Sequence, residues 1–297
     1  MRLYRFRTFR TSYFFPAYSK KNTVLYKLYS PFGKAATIYW WLFRHFPIIR
    51  WINRVDKNSY GFPYDKIICL CPKDCVLSFN LGTPGPEQKI SMLGLTISGD
   101  YFFAKYSERP SARKLSENEI HVLSTLKHTG IVPYLYDYKV DGDYCFFRTS
   151  CVDGDNPKDL NVTYEVVDLA IKISNNHLYL PTRNKEGLRT GLSHGDFTPW
   201  NLKINSSGYH MIDWEMADER ELGYDIFTYI AHVNNIFHPE IPVMKAIDNQ
   251  HYFIDTYFEA FDIKDWSPYL VAFAKNKIKY ELSKGNVGRA DDYKCLL

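Results

Sequence analysis

No stretch of this chain offers the roughly twenty uninterrupted apolar residues that a membrane-spanning helix requires. Its most apolar run, residues 38–52, is broken by Arg44, His45, Pro47 and Arg50. A secretory signal is not expected either: the basic and aromatic mixture from Arg2 onward has no uniform apolar core and no small-residue cleavage site. Cysteine is sparse. The six residues Cys69, Cys71, Cys75, Cys145, Cys151 and Cys295 form no disulfide framework for 297 residues, so a reduced, cytoplasmic setting is expected. Cys69, Cys71 and Cys75 lie close together, but no second Cys or His pair stands at zinc-finger spacing. Internal repeats, long low-complexity segments and nucleic-acid-binding motifs are all missing, and no nucleic-acid partner is expected.

What is present is ordinary in bulk and uneven in distribution. Hydrophobic content of 45% and charged content of 24% are those of a soluble globular protein. The net charge of +4 hides an asymmetry: residues 1–60 hold twelve Lys or Arg against a single acid, Asp56. The same sixty residues contain 17 of the 50 Phe, Trp and Tyr. Cations and aromatic rings together are what a segment seated at an anionic membrane surface uses. The same composition also suits a cover packed on the rest of the chain, or contact with an acidic protein. Residues 1–60 are therefore set apart as a basic-aromatic N-terminal extension.

The stretch richest in chemistry is Ser193-His194-Gly195-Asp196-Phe197-Thr198-Pro199-Trp200-Asn201, followed by Met211-Ile212-Asp213-Trp214-Glu215. It places one carboxylate and one carboxamide five positions apart on a loop, with a second carboxylate at the end of an apolar strand. Phosphoryl transfer needs a positioned hydroxyl and metal ions that neutralise phosphate charge. An Asp can accept the hydroxyl proton; an Asn and a second Asp offer hard oxygen ligands suited to Mg2+.

In type and order these residues resemble the protein-kinase signature, with two departures. The loop opens His-Gly-Asp, and Asp213-Trp214-Glu215 stands where Asp-Phe-Gly would be. Both departures resemble the aminoglycoside phosphotransferase and choline kinase family. The resemblance implies an α+β, bilobal protein kinase-like fold: a small antiparallel-sheet N-lobe over residues 61–152 and a mostly helical C-lobe over 153–297. It implies Asp196 as catalytic base, His194 as brace of the loop, Asn201 and Asp213 as Mg2+ ligands, and ATP as phosphate donor. Glu215 would lie near the metal in a lesser role. Asp225 resembles the family's structural Asp beneath the loop.

Upstream, residues 75–79, 90–95, 101–106 and 144–150 read as strands. Gly82 and Gly85 lie in the turn after the first, where a phosphate-covering loop is expected, although Pro84 and Pro86 remove two donors and the pattern is not Gly-x-Gly-x-x-Gly. Lys105 ends an apolar strand and is the expected phosphate-binding lysine. An amphipathic helix is expected from Ser116 to Lys127. On it Glu119 shares a face with Leu115, Val122 and Leu126, which makes it the partner for Lys105 over Glu117. The resemblance makes Ser150 to Val152 the adenine side. Helices are expected over 163–176, 249–261 and 267–284.

The expected activity is an ATP- and Mg2+-dependent transfer to an alcohol group of a small molecule, most readily a saccharide or lipid-linked saccharide. Residues 1–60 would then touch an anionic membrane peripherally, on its inner face. An aminoglycoside- or choline-type acceptor, a protein acceptor and a non-catalytic scaffold are the alternatives. A protein acceptor is disfavoured, because no Ala-Pro-Glu element follows Asp213.

Overall fold

The computed structural model describes residues 3–31, 33–56, 59–179 and 183–297; Arg2, where the basic-aromatic mixture begins, lies outside them. The chain divides into two compact units, residues 1–120 with 134–151, and 121–133 with 152–297.

The first unit is built on one eight-stranded sheet. It begins with β1 (Leu3–Arg7) and β2 (Ser12–Pro16). Two helices follow, α1 (Lys34–His45) and α2 (Pro47–Ile52), and then the short β3 (Arg54–Val55). α3 (Tyr64–Leu70) lies ahead of the first strand expected from the sequence, where no helix was expected. Next come β4 (Val76–Asn80), β5 (Ile90–Leu95), β6 (Tyr101–Ser107), α4 (Pro110–Thr125), β7 (Leu135–Val140) and β8 (Cys145–Ser150). The strand order is β3-β1-β2-β4-β5-β6-β8-β7, and the pairings are antiparallel.

The first sixty residues are thus integral to the sheet, which they widen by three strands. β2 pairs with β4 through Tyr13 opposite Asn80 and Phe14 opposite Phe79. Alternation decides which side each residue serves. Leu3 and Phe14 join Leu77, Phe79, Met92 and Phe102 in one core. Phe6 and Phe15 turn to a second core with Tyr26, Trp40 and Phe43. Much of the aromatic excess is therefore packing: Trp40 lies 4.9 Å from Phe6 and 5.0 Å from Phe15, ring to ring.

α4 starts six residues earlier than the sequence suggested. Pro110, with no N–H to satisfy and φ preset, suits a first turn. Ser116 is buried inside the helix, where its hydroxyl accepts a hydrogen bond from Ser107 (3.0 Å).

The second unit is mostly helical. α5 (Tyr164–Ser174) leads to β9 (Thr190–Ser193), then the hairpin β10 (Leu202–Asn205) and β11 (Gly208–Met211), and β12 (Asp218–Glu221), which pairs with β9. α6 (Tyr224–Phe237), α7 (Val243–Asn249), α8 (His251–Glu259), α9 (Ser267–Ser283) and α10 (Val287–Asp292) complete it. The helix expected over 249–261 is α8; α7 precedes it across Gln250, and the C-terminal region holds α10 besides. Among the described residues no helix is long and apolar enough to cross a membrane. An antiparallel sheet followed by a mostly helical unit is the α+β organisation that the sequence led us to expect.

Candidate active site

β9 delivers its last residue, Ser193, to a loop that its neighbours hold rigidly. Gly195 has φ +80°, a left-handed conformation, and a Cβ there would run into the Met216 carbonyl. Glycine at this position is therefore a steric requirement, which accounts for His-Gly-Asp in place of His-Arg-Asp. Asp225, buried in the first turn of α6, accepts hydrogen bonds from the Ser193 hydroxyl (2.7 Å), the His194 N–H (2.8 Å) and the Gly195 N–H (3.1 Å). Three donors on one buried carboxylate fix the loop's backbone and offset the cost of burying that charge.

His194 is fully buried. Its Nδ1 accepts the Asp196 N–H (3.3 Å) and its Nε2 donates to the Ile212 carbonyl (3.0 Å), which sets the tautomer. Trp214 packs edge-on against the His194 ring at 4.8 Å and donates its indole N–H to the Met211 carbonyl (3.1 Å). The Trp of Asp-Trp-Glu is in this way a buttress for the loop histidine. Ile212 N–H donates to the Asn201 carbonyl (3.0 Å), so the loop and the end of β11 are pinned together just before Asp213.

Asn201 donates from Nδ2 to both the carbonyl (3.0 Å) and Oδ2 (2.9 Å) of Asp196. That spends its nitrogen and leaves Oδ1 as an oxygen donor. Asp213 follows at the end of β11 with φ +69°. Two hard oxygen donors held on one pinned segment fit a Mg2+ ion. Burial raises the Asp196 carboxyl above the usual range and the charge of Asp213 adds to this, while His194, the Asn201 amide and Lys277 pull the other way.

Three residues near this loop carried no signal in the sequence. Asn156 donates from its amide to the carbonyls of Pro199 (3.1 Å), Trp200 (2.7 Å) and Leu202 (2.9 Å), clamping the turn around Asn201. His232, on α6, stacks on Trp200 (6.2 Å, 16°) and points Nδ1 at Asp196 Oδ1 from 3.8 Å. Burial, with Lys277 and Arg289 adding to it, lowers its pKa to about 3, so the ring is neutral. Lys277, on α9, is 4% exposed, and its ammonium lies 4.9 Å from the Tyr224 ring centre, with Arg220 at 4.3 Å from the same ring. Burial lowers Lys277 to about 8, against the pull of Asp196, Asp225 and Glu281. Their spacing from the loop, from 31 to 76 positions beyond Asn201 for His232 and Lys277, explains the silence: only tertiary packing brings them in.

In the first unit, Lys105 and Glu119 form a buried ion pair at 2.6 Å. β6 and α4 supply one partner each. Gly82 (φ +66°) and Gly85 lie in the loop between β4 and β5, where the Gly82 N–H bonds Asn80 Oδ1 at 3.0 Å. Ser150 ends β8, its hydroxyl accepting the Tyr134 N–H (2.9 Å), and Val152 lies in the irregular segment that follows.

Residues 172–260, which contain the loop, Asp213 and Asp225, match the model of the phosphotransferase enzyme family, and this bears out the family resemblance. No curated protein sequence matches the chain. Among solved structures the chain is similar to the amicoumacin kinase hAmiN in complex with AMP-PNP, Ca2+ and Ami (11% identity, TM-score 0.49, covering 72% of this chain and 82% of that one). It is also similar to the aminoglycoside phosphotransferase APH(4)-Ia (13%, 0.47, 75% and 91%). A third is APH(3'')-Id from Streptomyces rimosus in complex with ADP and streptomycin (15%, 0.42, 56% and 83%).

Proposed function

We propose that this chain, matched across its loop segment by the phosphotransferase enzyme family, transfers the γ-phosphoryl group of ATP to a hydroxyl of a small molecule. The observation that carries this reading is the loop in which His194 and Asn201 hold Asp196 while Asp225 holds the backbone just before it. Asp196 takes the acceptor's hydroxyl proton as the oxygen bonds to the γ-phosphorus; the bond to the β-phosphate oxygen breaks and ADP leaves. Asn201 and Asp213 would hold Mg2+, which when bound neutralises charge on the phosphates. Lys105, oriented by Glu119, supplies a cation for the α- and β-phosphates. The backbone at Gly82 and Gly85 covers them, and Ser150 and Val152 lie on the adenine side.

The acceptor we infer is a saccharide or lipid-linked saccharide. An aminoglycoside would call for free carboxylates near Asp196, and three of the second unit's acids are engaged elsewhere. Glu219 accepts the Leu178 N–H (2.7 Å), Glu221 accepts the Asn184 and Asn276 amides (3.0 and 2.9 Å), and Asp255 accepts the Trp266 indole N–H (2.7 Å). Besides His194, Asp213 and Asn201, the surroundings of Asp196 include His232 at 3.8 Å and the cationic Lys277. Trp200 on His232 offers a flat face of the kind sugar rings pack against. A lipid-linked acceptor would be met at the cytoplasmic face of a membrane, where ATP is also at hand.

The test is an ATP-consumption screen over sugars, nucleotide sugars, amino alcohols and aminoglycosides. With whichever acceptor is found, Asp196→Ala should lower kcat by roughly 10²- to 10⁴-fold, the range for loss of a general base, with the fold intact. Residual turnover within tenfold of the parent would remove Asp196 from that role. Thermal stabilisation by ATP that does not depend on Mg2+ would argue for a scaffold.

A further inference from the structure

The aromatic first sixty residues are only partly spent on the core. α1 puts Trp40 and Phe43 inside, and on its opposite face Lys34, Ile38, Trp41 and His45 follow one another at helical spacing. Ile38 is 61% and Trp41 52% exposed. α2 continues the surface: Ile48, Trp51 and Ile52 share a face and are 64%, 70% and 70% exposed, and no residue of α2 is buried. Phe46 bridges the two helices, its ring 5.6 Å from that of Trp41, and is itself exposed. Seven large apolar side chains, counting Tyr39, are thus open to water within fifteen residues. Single exposed apolar residues are ordinary; a contiguous patch of this kind marks a surface that meets something.

The charges around it say what. Lys34, Arg44, Arg50 and Arg54 lie in the same segment, and Asp56 is the sole acid of the first sixty residues. Arg44 and Arg50 lie over the Tyr18 ring at 5.6 and 5.8 Å, so both guanidiniums are held beside the helices. A protein partner would need an acidic rim around an apolar groove. An anionic bilayer supplies both negative headgroups and an apolar layer everywhere. Two exposed tryptophans are placed as interfacial anchors, with an apolar body and an N–H for the headgroup level.

We propose that the outer face of α1 and α2 docks on the surface of an anionic membrane, with Ile38, Trp41, Phe46, Ile48, Trp51 and Ile52 entering the interface and the cations of the same segment drawn to the headgroups. The inference gives a lipid-linked acceptor a physical meeting place, but it stands on this surface alone, and its test involves no turnover.

Deleting residues 1–60 is not a usable test, because β1–β3 belong to the sheet. The full chain is floated instead with vesicles of phosphatidylcholine, pure or mixed with phosphatidylglycerol, beside a variant carrying Ile38→Ser, Trp41→Ser, Ile48→Ser and Trp51→Ser. The parent is expected to float with the mixed vesicles, less at high salt, and the variant to lose at least about tenfold in partitioning, equivalent to about 1.4 kcal/mol. Because the four side chains are exposed, circular dichroism and Tm should be unchanged. Independently of any variant, brominated lipid should quench the parent's tryptophan emission. A parent that stays unbound and unquenched on phosphatidylglycerol overturns the proposal, as does a folded variant that floats like the parent. A parent dimer that the variant converts to monomer, without vesicle binding, assigns the face to a second copy of the chain.

Discussion

At Lys277, a cation is held in a place that burial alone would make hostile to it. Its pKa of about 8 lies below the ordinary lysine value of 10.5, so the folded chain refuses a proton that the unfolded chain accepts. Above pH 10.5 the ammonium is absent from both states and costs nothing. As pH falls from there to about 8, stability is lost; below about 8 the deficit is constant. Lys277→Met should therefore melt higher than the parent at pH 7, with the gap closing between pH 8 and pH 10.5 in a series of melting curves. A stability cost of this kind at a residue in the field of Asp196 is what a site retained for binding would show.

The contact between Asp196 and Asn201 was legible in the sequence, because five positions of loop suffice to bring them together. Gly195 was legible as a departure but not as a cause: only the left-handed φ and the Met216 carbonyl explain it. Lys277, His232 and Asn156 were not legible. Each acts through a contact made by packing across 31 positions or more, and a lone Lys, His or Asn in sequence carries no mark of such a contact.

Between residue and molecule lie the pairings of one element with another. β6 and α4 each contribute one charge to the Lys105–Glu119 pair, both nearly inaccessible. Removing one partner takes from the other the opposite charge 2.6 Å away in a buried place, a loss of roughly 3–5 kcal/mol. Glu119→Leu should show this in urea unfolding, and adding Lys105→Met should recover much of the loss; additive losses would mean that the pair is not coupled. The helical spacing of Glu119, Val122 and Leu126 made this pairing readable. The start of α4 was misread because Ser116 has the form of a cap, and its hydroxyl bonds β6 instead. α3 and β7 were missed as well. α3 is one short helix of seven residues; β7 does alternate Tyr136, Tyr138 and Val140 with Asp137 and Lys139, as a strand should, but it is an edge strand whose residues are nearly all exposed.

For the whole molecule, topology decides what composition left open. A segment with twelve cations and one acid suited a membrane contact, a protein contact or a packed cover alike; in the structure it holds three of eight strands. Removing residues 1–60 should expose the β4 edge and the apolar faces of Leu77 and Phe79, and an exposed edge of this kind aggregates. The expected result is loss of soluble, sheet-containing protein, read by sedimentation and far-ultraviolet circular dichroism. A soluble truncated chain with an unchanged spectrum would show the three strands to be dispensable.

The strand order also dictates how the sheet can be assembled. β4, β5 and β6 are joined by short connections, as are β1 with β2 and β7 with β8, so each of these groups needs only local loop closure. The two groups at the N-terminal end of the sheet meet through Tyr13 and Asn80, nearly seventy positions apart, and Leu3 waits for Val55. Closing those long loops costs chain entropy before any pairing rewards it. The basic-aromatic hairpin is therefore expected to join last, onto a central sheet already formed. Until then the edge of β4 stands open, which makes the interval before docking the time when this chain is most exposed to misassembly.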